Sequence, residues 1–251
     1  MTNKDNTAKL QKLFKQAKYA ILSILFPIEC LGCAREDVWL CERCLNKIKY
    51  NIDYQCVVCK KGSDFGLTHS ACRKETKLDG VVIASFGKDN FLRGIIGKYK
   101  YNLIKELCDP LAQILINKII LSKQHGHNFL LKNDFTVMPV PLHKRRLRWR
   151  GFNQSQLLAE KIAVFFGLNT ASNVLVRKKY TKPQVKFKRK KRIKNILNSF
   201  KINSGIQFDF KNTNVLLVDD VLTTGSTLNE CARVLKEGGV KKVWAIVLTR
   251  G

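Results

Sequence analysis

The chain has 251 residues, enough to bury one hydrophobic core and a small appendage, and its apolar fraction of 45% excludes a chain without a core. Lysine and arginine number 46 against 19 acidic residues, which gives a formal net charge of +27. Such a charge favours polyanionic partners, namely nucleic acid, polyphosphate or an anionic membrane surface. A lysine-rich proteome is the alternative explanation, and the abundance of Lys, Asn and Ile favours some contribution from it.

The first predicted element is a short amphipathic helix over residues 8–26, where apolar side chains recur on one helical face. The apolar run from Tyr19 to Ile28 is too short to span a bilayer and follows Lys15 and Lys18. It therefore predicts neither a membrane span nor a secretory signal. We expect a cytoplasmic protein whose cysteines are reduced.

Seven of the nine cysteines lie between residues 30 and 72 and form a metal-binding pattern. Three C-x2-C pairs and a final H-x2-C pair supply eight potential ligands, enough for two tetrahedral zinc ions. A C-x2-C turn presents two sulfurs on one side of a tight loop, as zinc requires. The predicted ligands are Cys30, Cys33, Cys41, Cys44, Cys56, Cys59, His69 and Cys72.

We interpret this zinc as structural, because so small a domain buries little apolar surface and would take its folding energy from the metal. Disulfides are disfavoured in a cytoplasmic protein, and the paired spacing differs from that of ferredoxin clusters. Two alternatives remain. The domain could bind a single zinc ion and leave some cysteines free, and His69 could be an ordinary polar loop residue.

From residue 78 onward, apolar strand patterns alternate with helical patterns. This alternation predicts an α/β fold with a doubly wound, mainly parallel sheet. Ligands of such sheets bind at the carboxyl ends of the strands. The predicted strands are 78–86, 135–138, 174–177, 215–218 and 241–248, and the predicted helices are 102–121, 155–166 and 228–235.

Residues 215–227, V-L-L-V-D-D-V-L-T-T-G-S-T, are the most informative segment. A buried strand ends at two carboxylates, Asp219 and Asp220, and a small hydroxyl-rich turn leads into a helix. The N–H groups of the turn and of the helix N-terminus favour an anion such as phosphate. The carboxylates can accept hydrogen bonds from sugar hydroxyls, directly or through Mg²⁺. The turn lacks the lysine of a Walker loop, and the alternative is an ordinary strand–turn–helix with a solvated acidic pair.

Two basic runs, His143–Arg150 and Arg177–Lys194, concentrate the positive charge. A charge run is usually a solvated face, but aromatic residues are interleaved in both runs. Basic side chains track a nucleic-acid backbone and aromatic rings stack on unpaired bases, which favours single-stranded DNA as a partner. The alternative is that the same residues bind the pyrophosphate of a small ligand. The predicted nucleic-acid contacts are Arg146, Arg148, Trp149, Arg150, Lys178, Lys182 and Arg189.

Residues 215–227 resemble the signature of type I phosphoribosyltransferases. The resemblance implies that fold, with Asp219 and Asp220 as the catalytic pair that holds the ribose hydroxyls of phosphoribosyl pyrophosphate. It implies that the turn holds the 5′-phosphate, that loop 139–142 holds pyrophosphate and Mg²⁺, and that loop 177–184 closes over the ligand. The implied ligand-binding residues are Pro139, Val140, Pro141, Lys144, Arg145, Val221, Leu222, Thr223, Thr224, Gly225, Ser226 and Thr227.

A longer resemblance covers nearly the whole chain. The segments M-P-V-P-L-H-K-R-R-L-R-W-R-G-F-N-Q-S and R-K-K-Y-T-K-P-Q, with L-F-P before Cys30 and K-Y-K-Y around Lys100, resemble the ComF competence family. The resemblance implies a double zinc ribbon and a role in natural transformation, handling incoming single-stranded DNA, with other competence proteins as further partners. His69 departs from the family pattern, in which a cysteine is expected.

The predicted domains are an N-terminal helix at 1–28, a double zinc ribbon at 29–77 and a phosphoribosyltransferase-like domain at 78–251. Three functions compete. The first is an enzyme that transfers a phosphoribosyl group to an unidentified nucleophile. The second is a competence factor that binds single-stranded DNA and keeps the phosphoribosyl pyrophosphate site for binding or regulation. The third is a redox or metal-storage protein, which the acidic motif disfavours.

Overall fold

The computed structural model describes residues 27–85, 89–124, 135–180 and 195–251. The chain divides into two compact units, one ending at Lys47 and the other beginning at Ile48. The predicted domain limits at 28/29 and 77/78 stay predictions. The N-terminal helix predicted over residues 8–26 lies outside the described residues.

The smaller unit, in its described part, folds around the first cysteine group. Tight turns there are closed by backbone hydrogen bonds, with Cys30 N donating to Arg35 O at 2.7 Å and Ala34 N donating to Cys30 O at 2.9 Å. One short helix, α1 (Glu42–Leu45), follows directly after Cys41.

The larger unit is built on a parallel sheet. Its four strands are β1 (Gly80–Ser85), β2 (Phe135–Pro139), β5 (Asn214–Leu222) and β6 (Lys242–Arg250), in the order β1-β6-β5-β2. All neighbouring pairs are parallel. Two further strands, β3 (Leu175–Arg177) and β4 (Phe200–Ile202), pair antiparallel in a separate small sheet. The four predicted strands of the main sheet are confirmed, because continuous apolar runs are typical of strands buried on both faces.

Five helices connect these strands in the part of the chain that the structure describes. They are α2 (Asn90–Tyr101), α3 (Cys108–Gln124), α4 (Lys144–Arg150), α5 (Gln154–Phe166) and α6 (Ser226–Glu237). Short 3-10 turns lie at Asp64–Gly66, Ser70–Cys72 and Lys105–Leu107. Within the described ranges, no helix is long and apolar enough to cross a membrane.

Helices cover both faces of the sheet. Val215 and Leu217 of β5 belong to one core cluster with Leu228 and Leu235 of α6. Successive side chains of a strand point to opposite faces, so Leu216 faces the other side, where α3 and α5 pack against each other and the strands. The predicted doubly wound α/β fold is thereby confirmed.

The helical pattern predicted for residues 102–121 begins later than expected. The structure places α2 over 90–101, where no element was assigned, and α3 begins only at Cys108. Between them Leu103 adopts a left-handed φ of 62°, which an α-helix does not tolerate. The chain thus turns at the end of α2, directly after Lys100 and Tyr101.

Strand β5 is longer than its apolar run predicts. It continues through the acidic pair to Leu222 instead of ending at Val218. The reason is the neighbouring strand, because β6 extends to Arg250 and pairs with Leu222. The two carboxylates therefore lie on a hydrogen-bonded strand and not on a free loop.

Candidate functional site

The two carboxylates of β5 are held by different elements. Ser155 Oγ, in the first turn of α5, donates to Asp219 Oδ1 at 2.9 Å, and Asp220 N donates to the same oxygen at 3.0 Å. Lys100 Nζ, near the end of α2, lies 2.6 Å from Asp220 Oδ1. Residues about 65 and 120 positions away in the chain thus meet at the carboxyl end of β5.

Burial governs the electrostatics of this pair. Burial and the neighbouring Asp220 carboxylate raise the pKa of Asp219 to about 7, although the Lys100 ammonium and the hydrogen bonds from Asp220 N and Ser155 oppose the shift. Asp220 is only 4% exposed, and among the described residues none donates a hydrogen bond to its buried Oδ2. A buried carboxylate oxygen without a donor fits the preference of Mg²⁺ for oxygen ligands.

The small turn after β5 has the backbone geometry of an anion site. Gly225 is the N-cap of α6 with φ 76°, a left-handed conformation that glycine adopts at no steric cost. Thr224 Oγ1 and Ser226 Oγ are hydrogen-bonded at 2.7 Å, and Asn229 N donates to Gly225 O at 2.8 Å to close the first helical turn. The first N–H groups of such a helix lack intrahelical acceptors and attract an anion.

The predicted proline loop lies beside the acidic pair. Pro139 is paired with Val218 in the sheet, and Val140 N donates to Val218 O at 3.0 Å. Asn153 Nδ2 donates to Val140 O at 3.1 Å and fixes the loop from the other side. The structure therefore brings loop 139–142, the carboxylates and the small turn to one edge of the sheet.

The first basic run forms helix α4. His143 is its N-cap, with Nδ1 accepting from Arg145 N at 3.2 Å. Burial and the nearby arginines 177, 145, 146 and 148 lower the pKa of His143, which suits an imidazole that accepts a hydrogen bond. Lys144 and Arg145, predicted to bind pyrophosphate, are exposed on the first turn of this helix.

Helix α4 lines a basic–aromatic cleft of about 320 Å³, whose walls are Tyr101, Arg145, Arg146, Trp149, Arg150 and Tyr180. Trp149 is 58% and Tyr101 61% exposed, and their ring centroids lie 6.4 Å apart. The Arg150 guanidinium lies 5.8 Å from the Tyr101 ring centroid and is itself buried, with Nη1 donating to Gln154 Oε1. The cleft thus combines exposed ring faces with cations.

The residues predicted to contact nucleic acid lie in different places. Arg146, Trp149 and Arg150 line the cleft, and Arg148 is exposed on the same helix. Lys178 is exposed after β3, with its N–H donating to Ser199 O at 2.8 Å. Lys182 and Arg189, with most of the second basic run, lie outside the described residues.

The cysteines form two groups, each with its four ligand atoms within 4.8 Å of one another. The first contains Cys30, Cys33, Cys41 and Cys44, and the second contains Cys56, Cys59, His69 and Cys72. His69 Nδ1 lies 3.4 Å from Cys59 Sγ, while Nε2 lies 3.1 Å from Gly62 O. The outer ring nitrogen thus has a backbone partner, the usual support of a metal-binding histidine. Both groups can hold a metal ion, and their donors are those of structural zinc.

Backbone N–H groups prepare each group for a metal. Burial disfavours the Cys30 thiolate, but N–H groups of the surrounding loop, including Cys41 N at 3.3 Å, lower the pKa of Cys30 to about 6. The corresponding contacts lower the pKa of Cys56 to about 7. Burial raises the pKa of Cys44 to about 12 and that of Cys72 to about 11, so a metal would displace those two protons.

Three residues at the site were not predicted as site residues. Lys100 pairs with Asp220, Ser155 with Asp219, and Tyr101 lines the cleft. Ser155 and Lys100 stand inside segments that resemble the ComF family, which was the available signal. No spacing rule connects them to the acidic pair, because only the fold brings them together.

A parallel sheet that ends in an acidic pair, a small turn and a helix defines a phosphoribosyltransferase-like fold, and residues 155–251 match the phosphoribosyl transferase domain family. Competence protein F of Haemophilus influenzae is 30% identical over 211 residues, which cover 82% of this chain and 89% of that protein. The chain therefore belongs to the competence protein F family.

More distant relatives cover similar or shorter stretches. Competence protein ComFC of Bacillus subtilis is 24% identical over 214 residues, 82% of this chain and 81% of that protein. DNA utilization protein YhgH of Escherichia coli is 28% identical over 160 residues, 63% of this chain and 67% of that protein.

Proposed function

We propose that this protein binds phosphoribosyl pyrophosphate with Mg²⁺ at the acidic pair and small turn, binds single-stranded DNA at the basic–aromatic cleft, and acts in DNA uptake during natural transformation. The observation that carries the proposal is the buried Asp220 carboxylate, held by Lys100 beside a turn suited to phosphate. The names of the relatives, competence protein and DNA utilization protein, support the process. We propose a cytoplasmic location and two structural zinc ions.

In this proposal, each part of phosphoribosyl pyrophosphate is bound by groups of matching charge and hydrogen-bonding character. Asp219 and Asp220 would accept hydrogen bonds from the ribose hydroxyls, and Mg²⁺, when bound, would neutralise phosphate charge. The N–H groups of the turn would hold the 5′-phosphate. Loop 139–142 would place pyrophosphate beside them, with Lys144 and Arg145 at the start of α4 as cations.

The cleft suits an unpaired strand better than a duplex. Tyr101, Trp149 and Tyr180 present exposed rings, and a base stacked on such a ring contributes about 1–3 kcal/mol. The arginines beside them would neutralise backbone phosphates, so affinity should fall with salt. These contacts carry little sequence preference, as a protein that handles incoming DNA requires.

An active phosphoribosyltransferase without a DNA role is the second candidate. It is favoured because the acidic pair, the turn and loop 139–142 all meet at one sheet edge. The protein's part would be to hold the ribose and pyrophosphate while a nucleophile attacks C1, forms a bond there and displaces pyrophosphate.

The test is a calorimetric titration of phosphoribosyl pyrophosphate with Mg²⁺, with and without single-stranded DNA, together with an assay of pyrophosphate release. We expect the affinity for phosphoribosyl pyrophosphate to fall at least about tenfold in Asp219→Asn, because charge-assisted hydrogen bonds contribute about 1.5–3 kcal/mol each. Unchanged affinity in that variant would remove the acidic pair from the ligand site. Pyrophosphate release without DNA binding would favour the second candidate.

A further inference from the structure

The second metal group lies against the turn that would bind phosphate. Val57, inside the loop from Cys56 to Cys59, is partly buried against the core. A β-carbon placed on Gly225 would meet Val57 Cγ2 at 3.7 Å, an ordinary van der Waals contact. Val57 and Val58 also face Thr224 and Ser226 across a cavity of about 160 Å³. The metal-binding loop thus forms one wall beside the turn.

A second connection runs through the segment 73–78, which joins Cys72 to β1. Thr76 Oγ1 donates to Asn229 Oδ1 at 2.9 Å, and Lys77 N donates to the same oxygen at 2.7 Å. The backbone N–H of Asn229 closes the first turn of α6 by donating to Gly225 O at 2.8 Å. Asn229 therefore ties the start of α6 to the chain that leaves the metal group.

The segment itself is firmly placed. Leu78 N donates to Thr76 Oγ1 at 3.3 Å, and Thr68 Oγ1 donates to Leu78 O at 2.8 Å. Leu78 is buried in the core. The other end of the segment is Cys72, one of the four ligands of the second metal group, so a metal bound there would fix that end.

We propose that metal binding by Cys56, Cys59, His69 and Cys72 positions the phosphate-binding turn, through Val57 and the Thr76–Asn229 hydrogen bond. Thr76 and Asn229 are positioning residues, since they act on the first turn of α6 and do not face the acidic pair. Occupancy of the second metal group and anion affinity at the turn are then linked, each strengthening the other. The anion part of this proposal rests on the proposed function, whereas the link between metal group and turn does not.

The link is tested by hydrogen exchange of the full chain, followed by mass spectrometry on peptides that cover residues 223–230. Cys59→Ser is compared with Cys33→Ser, because both are the exposed thiols of their groups. We expect Cys59→Ser to speed exchange of the turn about tenfold, and Cys33→Ser to leave it unchanged. Elemental analysis should give two zinc ions for the wild type and one for each variant. An equal effect of both variants, or none from Cys59→Ser, overturns the proposal.

Thr76→Val provides an independent test that leaves every metal ligand in place. The variant removes one hydroxyl. Thr213→Val is its control, because the Thr213 hydroxyl is also a hydrogen-bond donor, to the backbone carbonyl of Asp209, at the other end of β5. We expect faster exchange of 223–230 and an affinity for phosphoribosyl pyrophosphate about three- to tenfold lower in Thr76→Val only, with zinc content unchanged. If the wild type binds no phosphoribosyl pyrophosphate, the proposed function fails, and the exchange result alone decides the link. Identical behaviour of the two variants contradicts it.

Discussion

The acidic pair and the basic–aromatic cleft meet at the end of α2, yet they place charge in opposite surroundings. Lys100 and Asp220 have side chains only 18% and 5% exposed, and they neutralise each other. The next residue, Tyr101, is 61% exposed and faces arginines across an open cleft. In the first region a single lost charge leaves its partner buried. In the second, Arg150 is buried, but Arg145 is exposed, so that its charge is hydrated and screened by salt.

Single substitutions are therefore expected to have large effects at the pair and smaller, additive ones at the exposed residues of the cleft. A ligand at the pair would be recognised by a few fixed groups. A strand in the cleft would be held by many weak contacts, each dispensable. The two regions therefore suit different ligands, a small phosphorylated sugar and a polymer.

The largest effect is expected from Lys100→Met, which keeps the chain length of the side chain but removes its charge. Asp220 would remain buried without its counterion, and breaking a buried pair costs about 3–5 kcal/mol in the free energy of unfolding. Lys98→Met is the control, because Lys98 is exposed on the same helix. Denaturant unfolding measures both. Equal, small losses in the two variants would show that the pair behaves like a surface ion pair and that its burial has no energetic consequence.

A second prediction concerns pH. Burial and Asp220 raise the pKa of Asp219 to about 7, whereas the pKa of an aspartate in an unfolded chain is about 3.9. The folded state thus binds the additional proton, and its contribution to stability is present at low pH and lost as pH rises towards 7. Asp219→Asn keeps the shape and abolishes this loss.

The free energies of unfolding of the wild type and Asp219→Asn should therefore diverge as pH rises from about 4 to about 7 and run parallel above about pH 8. The variant should be the more stable protein at neutral pH, by on the order of 4 kcal/mol. Because both proteins carry the same cysteines, pH effects on metal binding cancel in the difference. A difference independent of pH would mean that Asp219 stays ionised throughout.

The sequence predicts the local part of this arrangement well. The apolar run at 215–218 and the helix after Gly225 follow from hydrophobic pattern and turn chemistry, and so does their place in a doubly wound sheet. The ion pair of Lys100 with Asp220 does not, because the sequence contains many lysines and only the fold selects one. The extension of β5 to Leu222 likewise depends on β6, a partner that no local pattern includes.

Helix α4 could not be predicted from the sequence, for a different reason. The run H-K-R-R-L-R-W-R reads as a solvated charge run, since its positive residues leave no apolar face for a helical pattern. The structure forms a helix with His143 as N-cap and Gly151 in a left-handed conformation at its end. The helix brings the rings and cations together in one cleft. The sequence alone shows only that aromatic residues alternate with basic ones.

In the cleft, Trp149→Ala should weaken binding of single-stranded DNA by about 1–3 kcal/mol, because one stacked base loses its ring. Phe165→Ala is the matched control, since Phe165 is 55% exposed but lies outside the cleft. Fluorescence anisotropy with a labelled oligonucleotide measures both, and a duplex of the same sequence should be affected less. Equal losses for single strand and duplex would exclude stacking as the source of affinity.

The smallest effect is expected for the cations on the first turn of α4, and it appears in the salt dependence more than in the affinity itself. Lys144, Arg145 and Arg146 lie on its first turn. Each phosphate contact on a single strand releases counterions and contributes about 0.7 to the slope of log affinity against log salt. Neutralising the three together should flatten that slope by up to about 2, with folding stability unchanged. Lys241→Ala, at the opposite end of the sheet, should leave the slope as it is. The opposite result is that the same triple substitution abolishes binding of phosphoribosyl pyrophosphate and leaves the salt dependence of DNA binding unchanged. These three cations would then bind the small ligand, and other residues would contact the DNA backbone.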